Sequence, residues 1–193
     1  MSTAAPKRSS PLLARSIPDV PGQRSGWQHR GVSTPGADAV LRIEKEPAGG
    51  DLAQALLRRY YEELDERLPG GFALELTVAA PSAELTPPRG AFMVVRLDGD
   101  PMGCGGVRKL DEQTAEIKRM WLDPRARGHG VGRRLLHALE TAAEELGCKS
   151  VRLDTSAHLS EAITLYRSCG YVDIPPYNDN LYADYWLEKT LGG

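Results

Sequence analysis

The segment Arg127-Gly128-His129-Gly130-Val131-Gly132-Arg133 constrains this 193-residue chain more than any other. A strand expected over residues 115–122 and ended by Asp123-Pro124 precedes it. After it, Val131, Leu135, Leu136, Leu139, Ala142, Ala143 and Leu146 recur at helical spacing. The glycines therefore lie where a strand hands over to a helix. The first amides of a helix have no internal acceptor, and the helix dipole places partial positive charge there. Glycine lets the main chain come close to an anion. Together these features predict a cradle for a phosphate or diphosphate.

The frame of the glycines narrows the ligand. A dinucleotide fingerprint, G-x-G-x-x-G, begun at Gly128 needs glycine where Arg133 stands, and begun at Gly130 it needs glycine where Leu135 stands. A Walker A loop needs Gly-Lys-Ser/Thr, and none follows. What remains is Arg127-x-x-Gly130-x-Gly132.

The rest of the chain reads as follows. Residues 41–45 alternate as a half-buried strand. Asp51 reads as the N-cap of a helix, with Gln54 placed for a capping box. Leu52, Leu56, Leu57, Tyr60, Leu64 and Leu68 form its face, and Pro69-Gly70-Gly71 stop it. Residues 72–88 read mostly as loop. A meander follows, with strands over 91–97, 102–110 and 115–122. Asp98-Gly99 is the hairpin turn, and Gly103, Gly105 and Gly106 signal a bulge or a close backbone approach. The helix that begins at the glycine turn keeps Arg133, Arg134, Glu140, Glu144 and Glu145 off its apolar face and ends at Gly147. Residues 150–155 read as a buried strand. Ser160 caps a further helix with Ile163, Tyr166 and Cys169 inward, and Gly170 ends it. Residues 171–174 and 185–190 close the order as strands, with a polar loop between them.

Three motifs in this order resemble the GNAT superfamily of N-acetyltransferases. They are the glycine turn, the preceding Glu116-Ile117-Lys118-Arg119-Met120-Trp121-Leu122-Asp123-Pro124, and the later Glu161-Ala162-Ile163-Thr164-Leu165-Tyr166-Arg167-Ser168-Cys169-Gly170-Tyr171. The resemblance is clear from about residue 91 onward. It implies an α/β (α+β) fold of GNAT type: a single domain with a central mixed, mostly antiparallel sheet flanked by helices. It also implies acetyl-CoA as co-substrate and direct attack by a primary amine in a ternary complex. Residues 127–133, that is Arg127, Gly128, His129, Gly130, Val131, Gly132 and Arg133, would hold the diphosphate. The main chain of Met120, Trp121 and Leu122 would meet the pantetheine arm. Many relatives have asparagine before the last helix, where this chain has Leu159.

Acyl transfer to an amine requires loss of the amine proton, donors for the oxyanion, and a proton or positive environment for the thiolate. Glu116 is the candidate base, on a strand face that alternation would share with Lys118, Met120 and Leu122. Tyr166 is the candidate acid. Tyr177, Asn178 and Asp179, with Asn180, Tyr182 and Asp184 nearby, are candidates for the acceptor wall. A non-catalytic acyl-CoA sensor on the same fold is the competing expectation.

Composition sets the remaining expectations. Residues 1–38 read as a flexible Pro/Ser/Arg-rich tail and 39–193 as the folded domain. Lys7, Arg8, Arg15, Arg24 and Arg30 stand against Asp19 alone over residues 1–37, while the whole chain has a net charge of −2. Such a tail suits a solvated arm, a dock for an acidic partner, or a transit segment. The near-neutral total gives no general attraction to nucleic acid or membrane. Three cysteines without C-x-x-C spacing suit free thiols in a cytoplasmic protein and give no metal site. A homodimer is compatible with all of this.

Overall fold

The computed structural model describes residues 40–73 and 82–192. The tail expected over residues 1–38 lies outside the described residues, as do 74–81 within the expected loop.

Strand β1 (Leu41–Lys45) leads to helix α1 (Asp51–Arg67). A short 3-10 turn at Ser82–Leu85 precedes β2 (Gly90–Leu97), β3 (Asp100–Lys109) and β4 (Thr114–Leu122). A second 3-10 turn, Pro124–Ala126, leads to α2 (Val131–Glu145), β5 (Ser150–Thr155), α3 (Ser160–Ser168), β6 (Val172–Asp173) and β7 (Tyr185–Thr190). The seven strands form one sheet in the order β1-β2-β3-β4-β5-β7-β6, and only the β4–β5 pair is parallel. This is the mixed, mostly antiparallel sheet that the motifs imply.

The two faces of the sheet carry two apolar clusters. On one, Met93, Val95, Val107, Ile117 and Leu153 pack against Leu135, Leu136 and Leu139 of α2 and Tyr166 of α3. On the other, Phe92, Val94, Cys104 and Trp121 pack against Leu56 and Leu57 of α1 and Leu85. The sheet is thin at β3. A Cβ at Gly105 would stand 2.8 Å from Leu139 Cδ1, and one at Gly106 would stand 2.9 Å from Leu85 Cδ2. The close approach that these glycines signalled is thus met on both faces. Asp98 and Gly99 both have positive φ, 51° and 90°, as a tight hairpin turn requires.

Several local expectations are corrected. Gly50, not Asp51, is the N-cap of α1, and it has no side-chain cap bond. Asp51 instead places a carboxylate in the first turn, where it meets the positive end of the dipole. Gln54 Nε2 donates to Ala48 O rather than completing a capping box. Leu159 takes the N-cap position of α3, so Ser160 is its first residue. The inner face of α3 comprises Ala162, Leu165, Tyr166 and Cys169. Glu140 is buried, because Lys189 Nζ of β7 reaches its Oε2 at 2.9 Å and partners the charge. The alternation along β4 also breaks. Arg119 has φ 58°, and the β3–β4 register slips between Cys104 and Gly106. This bulge turns Leu122 to the α2 side with Ala115 and Ile117, whereas Trp121 joins the α1 side.

Candidate active site

The parallel ladder between β4 and β5 has only three pairs: Thr114 with Ser150, Ala115 with Val151 and Glu116 with Arg152. Beyond them β4 stays with β3 as far as Leu122, and β5 runs on to Thr155 beside β7. The two strands part in the middle of the sheet. α2 and α3 cover this opening on one side, and α1 borders it on the other.

The glycine turn stands at one end. Gly128 and Gly130 have φ of 81° and 73°, and no heavy atom lies within 4 Å of a Cβ built on either. Left-handed backbone with open space beside it is what glycine permits at little cost. Gly130 caps α2, whose ladder starts when Arg134 N donates to Gly130 O at 3.2 Å. The amides of Val131, Gly132 and Arg133 are left without helical acceptors. A cavity of about 320 Å³ runs past Gly128, Gly130 and Gly132 to Trp121, Met120 and Tyr166.

The sequence candidates differ in how they meet this cavity. Met120, Trp121, Leu122, Arg127 and Arg133 all line it. The Val131 side chain is buried in the core. His129 is exposed and is not part of the lining. Arg127 is turned inward: its guanidinium donates to Leu122 O from Nε and Nη2, at 3.0 and 2.7 Å, and pairs with Glu63 at 2.5 Å. Arg133 donates to Ser168 Oγ at 3.0 Å and to Ser168 O at 3.3 Å, which ties α2 to the end of α3.

Helix α1 supplies a wall that local pattern did not show. Glu63 accepts from Trp121 Nε1 at 2.8 Å and from Arg127, and Arg67 joins it from the next turn at 3.2 Å. Arg67 also reaches across to α3, where it pairs with Glu161 and donates to His158 O at 2.9 Å. The Arg67 hydrogen bond holds the Glu161 carboxyl down to about 2. Tyr60 lines the same cavity, and burial, with Tyr166 nearby, pushes its hydroxyl well above the ordinary range. These α1 residues reach the site through the strand order, and spacing along one helix carries no such information.

Tyr166 lies where two cavities meet. It lines the first and also a second cavity of about 120 Å³, together with Met120, Leu159 and Ala162. Its hydroxyl is buried and makes one weak donation, to Met120 Sδ at 3.9 Å. Burial, then the Asp154 charge, pushes its pKa well above that of a free phenol. The hydroxyl therefore stays protonated across the neutral and mildly alkaline range.

Glu116 is fully buried beside the second cavity without lining it. Arg108 Nε donates to its Oε2 at 2.7 Å, while Tyr177 Oη at 2.9 Å and Lys118 Nζ at 3.4 Å donate to Oε1. Lys118 also bonds Asp154 Oδ1 at 3.0 Å, and Lys118 and Asp154 both line the cavity. Asn178 Nδ2 lies 3.4 Å from both Glu116 Oε1 and Asp154 Oδ1, and Asn180 donates to Asp154 Oδ2. Tyr177 and Asn178 thus brace the buried carboxylates, and Asp179 is exposed. From the same loop, Asn180 and Tyr182 face the cavity. Asp184 instead accepts from Ala157 N at 2.8 Å, which holds the turn before α3. Asp154 escaped the sequence reading because a polar residue in a short buried strand gives no sign of the opening beside it.

Among the described residues no cluster of three or more His, Cys, Asp or Glu could hold a metal ion, and no helix is long and apolar enough to cross a membrane. Cys104, Cys148 and Cys169 are free thiols.

Comparison with known proteins follows the same lines. An IAA acetyltransferase of Azospirillum brasilense is 35% identical over 118 residues, covering 60% of this chain and 76% of that protein. An uncharacterized N-acetyltransferase of Schizosaccharomyces pombe is 30% identical over 145 residues, covering 70% and 84%. Among solved structures, a Klebsiella pneumoniae protein described as an acyl-CoA N-acyltransferase superposes with a TM-score of 0.64 at 28% identity, covering 79% of this chain and 98% of that one. A GNAT acetyltransferase of Elizabethkingia anophelis, solved with acetyl-CoA bound, shares the fold at 17% identity with a TM-score of 0.55, covering 78% and 98%. Residues 49–171 match the acetyltransferase (GNAT) family, and with them this chain belongs to that family and is an acetyltransferase.

Proposed function

We propose that this chain moves the acetyl group of acetyl-CoA to a primary amine of a small molecule or peptide, by direct attack within a ternary complex. One observation carries the reading. The cavity that starts at the unpaired amides of α2 and the cavity beside Asp154 share Tyr60, Leu64, Met120, Leu159, Ala162 and Tyr166. A long ligand in the first and an amine in the second would meet at Tyr166. A sensor has no need of the second cavity.

The residues fit the co-substrate. Three free amides and the α2 dipole suit a diphosphate, and the open space beside Gly128 and Gly130 lets it approach the main chain. The bound thioester supplies an activated acetyl carbonyl. The β4 main chain from Met120 to Leu122 has parted from β5 and lies along the cavity, where it can pair with a pantetheine arm. Tyr166 donates toward the leaving sulfur. The amine proton leaves toward the buried acidic cluster, in which Asp154 is the carboxylate on the cavity wall. Glu116, the base candidate from sequence, stands behind it through Lys118.

The test is a screen of amines and peptides with acetyl-CoA, reading released thiol, alongside calorimetry with coenzyme A. Thiol release that depends on an amine supports the proposal. Coenzyme A binding without turnover of any amine leaves the sensor reading in its place.

A further inference from the structure

The second cavity has a lining of unusual make-up. Besides Tyr166 at the junction, four aromatic rings face it: Tyr60 and Tyr61 from α1, Phe72 from the segment after it, and Tyr182 from the loop before β7. They form a continuous string, with centroids 5.3 Å apart from Tyr60 to Tyr61, 5.5 Å from Tyr61 to Phe72 and 5.1 Å from Phe72 to Tyr182. All four are half-buried, so each keeps open surface instead of being sealed in the core. Ala73 N donates to Tyr182 Oη at 2.8 Å, which fastens the loop to the segment after α1 and holds the string together.

Size and charge restrict what can lie against these rings. The cavity volume of about 120 Å³ is close to the roughly 150 Å³ of a cavity that accepts benzene. That size favours one six-membered ring over a fused bicycle. The carboxylate on the wall, Asp154, is already given to Lys118, Asn178 and Asn180. It offers no second anchor for the extra ammonium groups of a polyamine. Planar rings against aromatic walls gain from offset or edge contacts beyond the area buried.

We propose that the acceptor is a primary amine carried on a single aromatic ring, its ring against Tyr61, Phe72 and Tyr182 and its nitrogen directed to the junction at Met120 and Tyr166. This rests on the acetyl-transfer reading and names the substrate class of that same site. The nitrogen attacks the thioester carbonyl, the C–S bond breaks, the sulfur leaves as coenzyme A thiol, and the amine's surplus proton passes to solvent or the acidic cluster.

The test uses the full chain with acetyl-CoA and compares phenethylamine and benzylamine with n-butylamine, spermidine and tryptamine. The expected kcat/KM for phenethylamine exceeds that for n-butylamine by about tenfold, carried mainly by KM, and exceeds that for spermidine and tryptamine by at least as much. Phe72→Leu and Tyr61→Leu should each shrink the phenethylamine-to-butylamine ratio by about fivefold to tenfold while coenzyme A affinity holds. A preference for n-butylamine, spermidine or tryptamine in the wild type would overturn the inference and leave acetyl transfer standing. If none of these amines, nor any amine or peptide of the wider screen, releases thiol above the amine-free rate, both readings fall.

Discussion

The first half of β4 and its second half differ in what completes them. At Ala115 and Glu116 the strand is paired on both sides, with β3 and with β5. Its one buried charge, Glu116, is matched inside the protein by Arg108, Lys118 and Tyr177. From Arg119 to Leu122 the strand has left β5, bends through a left-handed residue, pairs with β3 only at Trp121 and Leu122, and lines both cavities. The first half is satisfied within the fold; in the second, Trp121 Nε1 and Leu122 O are partnered by Glu63 and Arg127, and the strand edge that has left β5 is the one proposed to meet the co-substrate. Groups for binding and catalysis have to remain partly unmatched, and the matched half next to them holds them in place.

The largest expected effect comes from breaking the closed half. Glu116→Leu leaves Arg108 and Lys118 buried without their carboxylate and should cost about 3–5 kcal/mol of stability, read by urea unfolding. Glu116→Gln should cost less. If its kcat nevertheless falls over a hundredfold with stability kept, Glu116 takes the amine proton itself. In the open half, Tyr166→Phe should lower kcat about a hundredfold, since general acid catalysis contributes roughly 10²–10⁴. Stability and coenzyme A affinity should hardly change, because the ring still packs on Tyr171. An unchanged kcat would remove Tyr166 from the chemistry. Next, Gly130→Val forces a branched residue to φ 73° and should weaken coenzyme A binding by about tenfold in calorimetry. The smallest effect belongs to the wall. Glu161 has an ordinary value of 4.5 and is held at about 2 in the fold, so its pairing with Arg67 stabilises fully above pH 4.5 and is lost as pH falls toward 2. Half of the Glu161 side chain is exposed, so Glu161→Gln should flatten the acid limb of thermal stability by less than about 1 kcal/mol.

The closed half was the more legible of the two. The strand ends, the Asp98-Gly99 hairpin and the glycine that opens α2 follow from local chemistry, and the structure places them within a residue or two of the sequence reading. The bulge at Arg119 was not legible, because arginine is not a residue that announces φ 58°, and tertiary packing imposes it. Everything downstream of it on β4 then faces the opposite way from simple alternation. Glu140 was misread for a related reason. Its position on α2 looks solvent-facing until Lys189, 49 residues later, arrives beside it. The α1 wall of Tyr60, Glu63 and Arg67 depends on which strands lie between α1 and α3, and a pattern within one segment cannot show that.

The thinness of the sheet at β3 has a consequence at a distance. Leu139 rests where Gly105 has no side chain, and α2 runs from that seat to the amides at its start. The height of the proposed phosphate cradle above the sheet is thus gauged by a missing methyl group on β3. Gly105→Ala would act as a shim under a lever: it would tip the helix, and the loss would be felt about two turns away, at the amides proposed to hold the co-substrate.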